Sequence, residues 1–407
     1  MKILYYHQHF STPSGATGTR SYEFARRLIK RGHSVTMVCG SYWIADSGLK
    51  DNFRKGRRTG NVDGINVIEF ELKYSNTDSV LKRTLIFLKY SLKGIIIALQ
   101  ENYDIIFASS TPLTAGLPGI FAKIFRNKPF IFEVRDLWPD GPKAMGVINN
   151  PIIFKLIDLL ETITYIFSTA CIGLSPGIVS GITRKVSKKM VIMIPNGCDL
   201  NLVENFTTKK NNTKIVAAFT GAHGIANGLD IVLDTAKILL EKYRQDISIQ
   251  FIGDGMLKPK LEQRVKNERL SNCQFLEPMS KYDMFRYLNN NVDIGLMILD
   301  NIPAFYFGTS PNKFFDYISL GLPVINNYPG WLAEIIENNQ CGIVVPPDNP
   351  EAFAEGLIKL ADDVNLRTAM GENSRQLAIR EFDRDVLSDR FVDYLQMTTI
   401  KRNVHII

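Results

Sequence analysis

Cysteine is scarce and scattered in this sequence: Cys39, Cys171, Cys198, Cys273 and Cys341 form no Cys-x-x-Cys pair and no Cys/His group with the spacing of a zinc site. A disulfide framework and a structural metal are thereby excluded as organising devices, and the usage is that of a reducing compartment. Uninterrupted apolar runs are also missing. A spanning helix needs about 20 mainly apolar residues, and the nearest contender, residues 80–100, is broken by Lys82, Arg83, Lys89 and Lys93. The opening run Met1–Tyr6 is too short for an export signal and reads as a first strand. The expectation is a cytoplasmic protein, soluble or held peripherally on the inner face of the plasma membrane. Acidic residues are the minority, 41 against 48 Lys and Arg, which leaves a net charge of +7 and a lean toward anionic partners. The basic clusters interleaved with aromatics that mark nucleic-acid modules are nonetheless absent. The two short ones, Arg54-Lys55-Gly56-Arg57-Arg58 and Lys185 to Lys189, lie beside Gly, Ser and Thr and are expected to be exposed loops, so nucleic acid is not an expected partner.

What is present is an ordinary globular balance, 45% hydrophobic and 22% charged over 407 residues, enough for two domains of roughly 200 residues each. Short apolar runs alternate with helical patterns: strands at 2–6, 33–39, 64–70, 105–109, 130–134, 170–174 and 191–194, with a helix over 20–31 that stops at Gly32. The pattern restarts with strands at 214–220, 247–252, 273–276, 294–298, 323–325 and 342–345. Strands alternating with helices imply parallel sheets covered on both faces. The fold class expected is α/β, two doubly wound Rossmann-like domains facing across a cleft. Residues 1–205 form the first, which the terminal helix at about 386–407 rejoins, and 206–385 the second, with the linker in the polar stretch 204–214. Ligands of such sheets sit beyond the carboxyl ends of the strands.

Four loops at those ends carry candidate chemistry. Pro13 to Arg20 follows the first strand; Gly15 would let a diphosphate approach the backbone at a helix start, with Arg20 nearby, and a plain strand-to-helix turn is the alternative. It is not Gly-x-Gly-x-x-Gly, and the second strand ends Cys39-Gly40-Ser41 without a ribose-holding acid, which disfavours a nicotinamide enzyme. Thr220 to Gly228 repeats the logic with Gly221, His223 and Asn227. Ser310, Pro311 and Asn312 resemble the mouth of a helix whose first turn holds Lys313, a cation misplaced against the helix dipole unless an anion binds there. Asp316, three residues on, shares its face, so an ordinary intrahelical ion pair is the alternative. Glu133, Arg135, Asp136 and Trp138 cluster after the strand at 130–134 and suit a polar substrate: Arg for an anion, Asp for hydroxyls, Trp for a sugar face. A structural salt-bridge network is the other reading.

These loops, taken with Arg31-Gly32-His33-Ser34-Val35, Ile194-Pro195-Asn196-Gly197-Cys198-Asp199, Ile252-Gly253-Asp254-Gly255 and Pro311-x-Lys313-x-x-Asp316-Tyr317-x-x-x-Gly321-x-Pro323-Val324-Ile325, resemble glycosyltransferase family 4, the retaining GT-B enzymes, over essentially the whole chain. Arg135-Asp136-Leu137-Trp138-Pro139 and the stretch 18–25 look like the subgroup that builds bacterial O-antigen or capsule, which includes proposed N-acetyl-L-fucosamine transferases. The resemblance implies a metal-independent hexosyltransferase without a cofactor. It would move a sugar from a nucleotide-diphosphate donor, with a UDP-sugar the first expectation, to a lipid-linked saccharide acceptor. It implies donor contacts at Gly15, Arg20, Gly221, His223, Asn227, Gly253, Gly255, Ser310, Pro311, Asn312 and Asp316, the last on the ribose, and acceptor-side roles for Glu133 and Trp138. Lys313, Arg135 and Asp136 would be the catalytic groups. The chain departs from the family in four places: Asp316 is a shorter carboxylate than the second of the family's two glutamates, Gly308 stands where the first usually contacts the donor sugar, the first loop of the second domain lacks the Arg and Lys that usually hold the diphosphate, and Arg135 stands where a pocket His ends the first-domain strand. An epimerase of the same architecture and a non-enzymatic sugar-binding protein are the rival readings.

Two further features remain. Asp383-Arg384-Asp385 has the Asp-x-Asp spacing of a metal site but precedes an amphipathic helix, where Asp commonly caps. Leu81, Leu85, Leu88, Leu92, Ile95 and Leu99 recur at helical spacing with Lys82, Lys89 and Lys93 on an adjacent face. That pattern fits either a helix lying on an anionic membrane surface or one simply packed on the sheet.

Overall fold

The computed structural model describes residues 1–75, 78–146, 148–204 and 214–404, with only the backbone of the last five. The linker stretch read from the sequence lies almost wholly outside the described residues. The chain forms two compact units, Met1–Pro195 with Gly308–Ser310 and Asp385–Ile407, and Asn196–Phe307 with Pro311–Arg384. The backbone therefore enters the second unit at Asn196 and leaves it after Arg384.

The first unit is built on eight strands: β1 (Lys2–Tyr6), β2 (Ser34–Tyr42), β3 (Arg57–Val62), β4 (Ile65–Tyr74), β5 (Ile105–Ser109), β6 (Phe130–Val134), β7 (Ala170–Gly173) and β8 (Met190–Met193), in the order β3-β4-β2-β1-β5-β6-β7-β8. Side chains alternate along β1, with Leu4 and Tyr6 in the core of one face and Ile3 and Tyr5 in that of the other. All four are buried, the pattern of a strand covered on both sides. One face carries the helices Val80–Gln100, Leu117–Arg126, Pro151–Phe167 and Pro176–Lys185 through Tyr90, Ile120, Tyr165 and Ile178. The other carries Arg20–Lys30 and the terminal helix Arg384–Val404. Arg27 pairs with Asp385 and Asp389, Arg31 with Asp389 and Asp393, and the Phe24 ring stacks on Phe391 at 4.3 Å.

Two expectations need correction here. The basic run at 54–58 is not a free loop: Arg57 and Arg58 open β3, which pairs antiparallel with β4, and Arg58 bonds Glu69 at 2.8 Å. Lys185 ends its helix and bonds Asp158 and Glu161, while Lys189 donates to the carbonyls of Ile166 and Ser168. Each cluster is thus tied to the fold in part, through Arg58 in one and Lys185 and Lys189 in the other, while Arg54, Lys55, Arg57 and Lys188 are exposed as expected.

The second unit has six parallel strands, β9 (Ile215–Thr220), β10 (Ile247–Ile252), β11 (Cys273–Leu276), β12 (Ile294–Met297), β13 (Val324–Asn326) and β14 (Gly342–Val344), ordered β11-β10-β9-β12-β13-β14. Two cores again flank the sheet. Among the described residues no helix is long and apolar enough to cross a membrane.

Candidate functional site

In the second unit the crossover around β9 (strand order β10-β9-β12) is where loops part to either side, the usual binding position of such sheets. Gly221 ends β9 with φ +125° and Gly253 ends β10 with φ +143°; a Cβ on Gly253 would stand 2.0 Å from the Gly221 carbonyl oxygen. Only glycine fits there, so the close approach that Gly253 permits is between the two loops themselves. Gly255 likewise lies against the backbone of His223, and in the first unit Gly15 lies against Ser11 and the backbone of Asp46. The imidazole of His223 is fully buried, with Phe219, Phe251 and Phe275 around it at centroid distances of 6.0, 6.3 and 5.7 Å. Neither ring nitrogen has a hydrogen-bond partner among the described residues. Burial, with the positive charge of Lys258 next, pushes its pKa down to about 4, so it is neutral.

The helix Asn312–Ser319 is locked to β9 by Tyr317, whose hydroxyl accepts from the Thr220 N–H at 2.9 Å and donates to the Ala218 carbonyl at 3.0 Å. That anchor sets the direction of the preceding turn. Lys313 does not pair with Asp316, as the intrahelical alternative required. Its Nζ donates to Asn227 Oδ1 at 3.1 Å, lies 3.8 Å from the centre of the Phe219 ring, and sits beside Gly221. Loss of hydration on burial lowers its pKa to about 7. A single cation therefore stands in a loop without Arg or Lys of its own, near Asn227, whose Nδ2 donates to the Ala222 carbonyl.

Asp316 belongs to a buried chain of alternating charge. Arg384 Nε donates to Asp199 Oδ1 at 2.7 Å, Lys281 Nζ lies 3.2 Å from Asp199 Oδ2, and the same Nζ lies 2.5 Å from Asp316 Oδ1. Burial opposes the charge on Lys281, yet Asp316 and Asp199 together hold its pKa above the ordinary value. Burial likewise raises Asp199, but Arg384 and Lys281 outweigh it and the carboxyl ends below the usual range. Asp316 itself is raised by burial, with Lys281 offsetting part of the effect. Among the described residues nothing bonds Asp316 Oδ2. Sequence reasoning missed this chain of charge: Lys281 lies in no motif, and Asp199 and Arg384, though each stands in a motif read above, are far apart in the sequence and were not read as partners.

In the first unit the four residues at the end of β6, Glu133, Arg135, Asp136 and Trp138, each find a different partner. Glu133 is buried and accepts from Arg20 Nε at 2.9 Å and from Ser109 Oγ at 2.6 Å; Arg20 also donates to the carbonyls of Ile194 and Pro195 and covers the Phe24 ring at 4.3 Å. Arg20 and Glu133 thus hold the chain at the point where it leaves this unit, the structural network that was the alternative reading. Arg135 and Asp136 are more open. Asp136 is exposed and accepts from Thr111 Oγ1 at 2.9 Å. Arg135 Nη1 is 3.1 Å from His7 Nε2, and His7 Nδ1 is 2.7 Å from Ser21 Oγ. A guanidinium only donates, so Nε2 accepts and His7 carries its proton on Nδ1. Burial and then Arg135 lower His7 well below its ordinary value, and the same causes bring His9 to about 3. Between them, both amide atoms of buried Gln8 lack a partner among the described residues, as does His9 Nδ1. Trp138 donates its backbone N–H to Glu161, while its indole N–H bonds nothing described. Such orphaned buried groups are rare in native folds and mark places where a ligand or water completes the bonding. His7-Gln8-His9, polar residues straight after a strand, was the signal available for this part of the site.

Asp383–Asp385 is not a site for an ion: Arg384 turns to Asp199 and Asp385 pairs with Arg27. Among the described residues no group of three or more His, Cys, Asp or Glu has a metal-holding arrangement.

Comparison with known proteins decides the family. The sequence family described as Glycosyl transferase 4-like domain matches residues 15–197, and the one described as Glycosyl transferases group 1 matches 203–377. The chain belongs to the GT-B glycosyltransferases of the family 4 type. Its relatives include an uncharacterized glycosyltransferase of Methanocaldococcus jannaschii, 24% identical over 47% of this chain and 49% of that one. The O-antigen chain mannosyltransferase C of Escherichia coli is 23% identical over 61% and 66% of the two chains. The capsular polysaccharide biosynthesis glycosyltransferase CapM of Staphylococcus aureus is 22% identical over 73% and 78%. The matched stretch thus spans about half the length of the first relative and just under two thirds of the second. The same fold recurs in sucrose-phosphate synthase of Thermosynechococcus elongatus, TM-score 0.74 at 14% identity over 99% of both chains. It recurs also in HepE of Anabaena, solved with UDP and glucose, TM-score 0.68 at 16% identity over 97% of this chain and 99% of that one.

Proposed function

We propose that this chain is a retaining glycosyltransferase. It moves a hexose-type sugar from a UDP-sugar, with UDP-N-acetyl-L-fucosamine the first donor to try, to a growing lipid-linked saccharide in O-antigen or capsule synthesis. It works at the anionic inner face of the plasma membrane and without a metal. The observation that carries the reading is Lys313: one half-buried cation held against Phe219 and Asn227 at the glycine turn that ends β9, in a loop otherwise without a basic residue. A leaving diphosphate is the ligand that makes such a placement favourable. Asp316 Oδ2 accepts the ribose hydroxyls, and the N–H groups around Ser310–Asn312 serve the phosphates beside the Gly221 turn, whose own N–H is bonded to the Ile252 carbonyl. Asn227 and the glycines Gly15, Gly253 and Gly255 shape the backbone around the donor, whereas Arg20 and His223 contribute through packing. The relatives named for O-antigen and capsule synthesis, and the UDP complex of HepE, support the donor and the pathway class.

The reaction breaks the bond from the sugar C1 to the diphosphate oxygen and forms the bond from C1 to the acceptor oxygen on the same face. The acceptor proton passes to the leaving phosphate oxygen, and Lys313 stabilises the charge that develops there. Arg135 and Asp136 orient the acceptor, with Glu133 holding the strand end beneath them and Trp138 offering a sugar face. A thermal-shift panel of nucleoside diphosphates and sugar nucleotides, with and without magnesium, tests this. Stabilisation by the uridine series, indifferent to magnesium and lost in Asp316→Ala, supports it. Turnover of donor with no acceptor would indicate an epimerase, and response to free sugar alone a binding protein.

A further inference from the structure

The helix Val80–Gln100 turns the wrong side out. Its packed face is Ile86, Tyr90, Ser91, Gly94, Ile97 and Ala98, with Tyr6 donating to the Gly94 carbonyl at 2.9 Å. The leucine stripe is the other face: Leu81, Leu85, Leu88, Leu92 and Ile96 are exposed, Leu81 to 71%. The neighbouring helices repeat this. Leu117–Arg126 packs beside Val80–Gln100 and Pro151–Phe167 packs beside Leu117–Arg126, all on one core. Phe125 is 66% exposed on the middle helix, and Ile152, Leu156, Leu159 and Ile166 form a second stripe at helical spacing, Leu156 at 61%. Fourteen of the twenty-four large hydrophobic side chains exposed among the described residues lie on these three helices. Scattered exposed leucines need no explanation, but a contiguous set of this kind marks an interaction surface.

We infer that the outer face of these three helices is a docking surface for an anionic lipid bilayer, with the Pro151–Phe167 stripe and Phe125 entering the acyl boundary. The charges name the occupant. Val80–Gln100 contains Lys82, Arg83, Lys89 and Lys93 and no acid. Lys82, which also pairs with Asp78 at 2.6 Å just ahead of the helix, and Lys89, with no acid bonded to it among the described residues, are exposed along one flank of the leucine stripe, and Lys155 is exposed on the second helix. The acids of that helix, Asp158 and Glu161, are both taken by Lys185. A second copy docking about a two-fold axis would set this basic flank against itself, whereas anionic headgroups complement it while the leucines lie in the interface. The inference deepens the membrane location in the proposed function, but it is carried by the surface alone and stands or falls separately from the reaction.

Flotation of the purified full-length protein with vesicles tests it, using phosphatidylcholine alone and an equal mixture with phosphatidylglycerol. The protein partitions onto the mixed vesicles at low salt and less as salt rises. The double variant Leu156→Gln/Leu159→Gln and the double variant Lys82→Gln/Lys89→Gln each lower that partitioning by about tenfold. All four side chains are at least partly open to solvent, so melting and the UDP-sugar thermal shift stay as in the parent. Absence of wild-type binding to the mixed vesicles overturns the inference, as does equal binding by both doubles. So does a dimer in sedimentation that Leu156→Gln/Leu159→Gln dissociates. Membrane binding without any nucleotide response would sink the transferase reading and leave this one standing.

Discussion

Lys281 Nζ lies 2.5 Å from Asp316 Oδ1, and the same ammonium reaches Asp199, so one buried cation serves two carboxylates from different parts of the chain. Removing it leaves Asp316 with no cation bonded to it and Asp199 with Arg384 only. Lys281→Met is expected to destabilise the protein by about 3–5 kcal/mol, because breaking a buried pair strands the partner's charge. Adding Asp316→Asn to that variant should recover part of the loss, since the stranded charge is gone. Urea denaturation of the two singles and the double measures the coupling; strict additivity would show that the pair does not act as one. In the proposed function Lys281 fixes the carboxylate whose other oxygen takes the ribose, so Lys281→Met should also weaken UDP-sugar binding beyond what unfolding explains.

Lys313 gives a pH dependence with a definite sign. Its pKa falls from an ordinary 10.5 on folding to about 7. Below about pH 7 it is charged folded and unfolded, and the full burial penalty is present. Between about 7 and 10.5 the unfolded state holds more proton, so this group's contribution to stability rises with pH. A bound diphosphate favours the ammonium, and UDP-sugar binding above neutrality therefore takes up a proton. Affinity should fall with rising pH, approaching about tenfold per unit. Calorimetry in buffers of different ionisation enthalpy reads the proton directly. Lys313→Arg should bind without the slope, and Lys313→Met should bind weakly without it; a slope that survives in Lys313→Met would assign the proton to another group. His223 does not titrate in this window.

Much of the scaffold was legible because hydrophobic periodicity is local: β1, β5, β6, β10 and β11 fall on the residues read from the sequence. β3 was missed although Asp63-Gly64 joins Val62 to Ile65 with φ of +52° and +88°, the two-residue hairpin that such a dipeptide signals. Its exposed, Arg- and Gly-containing sequence has no apolar alternation to set against that signal. At the candidate site the placing of Lys313 and Asp316 on one short helix was legible from the motif. The direction of their side chains was not, because the bond from Tyr317 to β9 and Lys281 from another helix decide it. Arg20 and Glu133 looked like ligand-binding residues by position, and only their distance of 2.8 Å shows that they hold each other.

His223 is a buried imidazole with no bond on either nitrogen among the described residues, which costs free energy that a hydrocarbon of similar size does not. His223→Leu is expected to stabilise the protein by about 1–3 kcal/mol. The gain should grow on acidification, because the unfolded histidine protonates below about pH 6.5 while the folded one stays neutral to about 4. UDP-sugar affinity should be unchanged, since the ring is enclosed by Phe219, Phe251 and Phe275. A loss of affinity in a stabilised variant would show that the ring turns out to meet the donor.

Glu133 and Arg135, two residues apart on the same strand end, should behave as opposites. Glu133 is fully buried against Arg20, so Glu133→Ala takes from a buried guanidinium the carboxylate it pairs with. The expected cost is about 3–5 kcal/mol of stability, with donor affinity intact in whatever remains folded. Arg135 is half-buried and its described side-chain bond is to a neutral His7. Arg135→Ala should melt close to the parent and yet lose transfer by about a hundredfold, the scale on which misplacing a reacting group lowers the rate. Urea curves and transfer assays on both variants decide the matter: a large stability loss in Arg135→Ala would move it into the same structural network as Arg20, and the acceptor side would then rest on Asp136, Gln8 and Trp138.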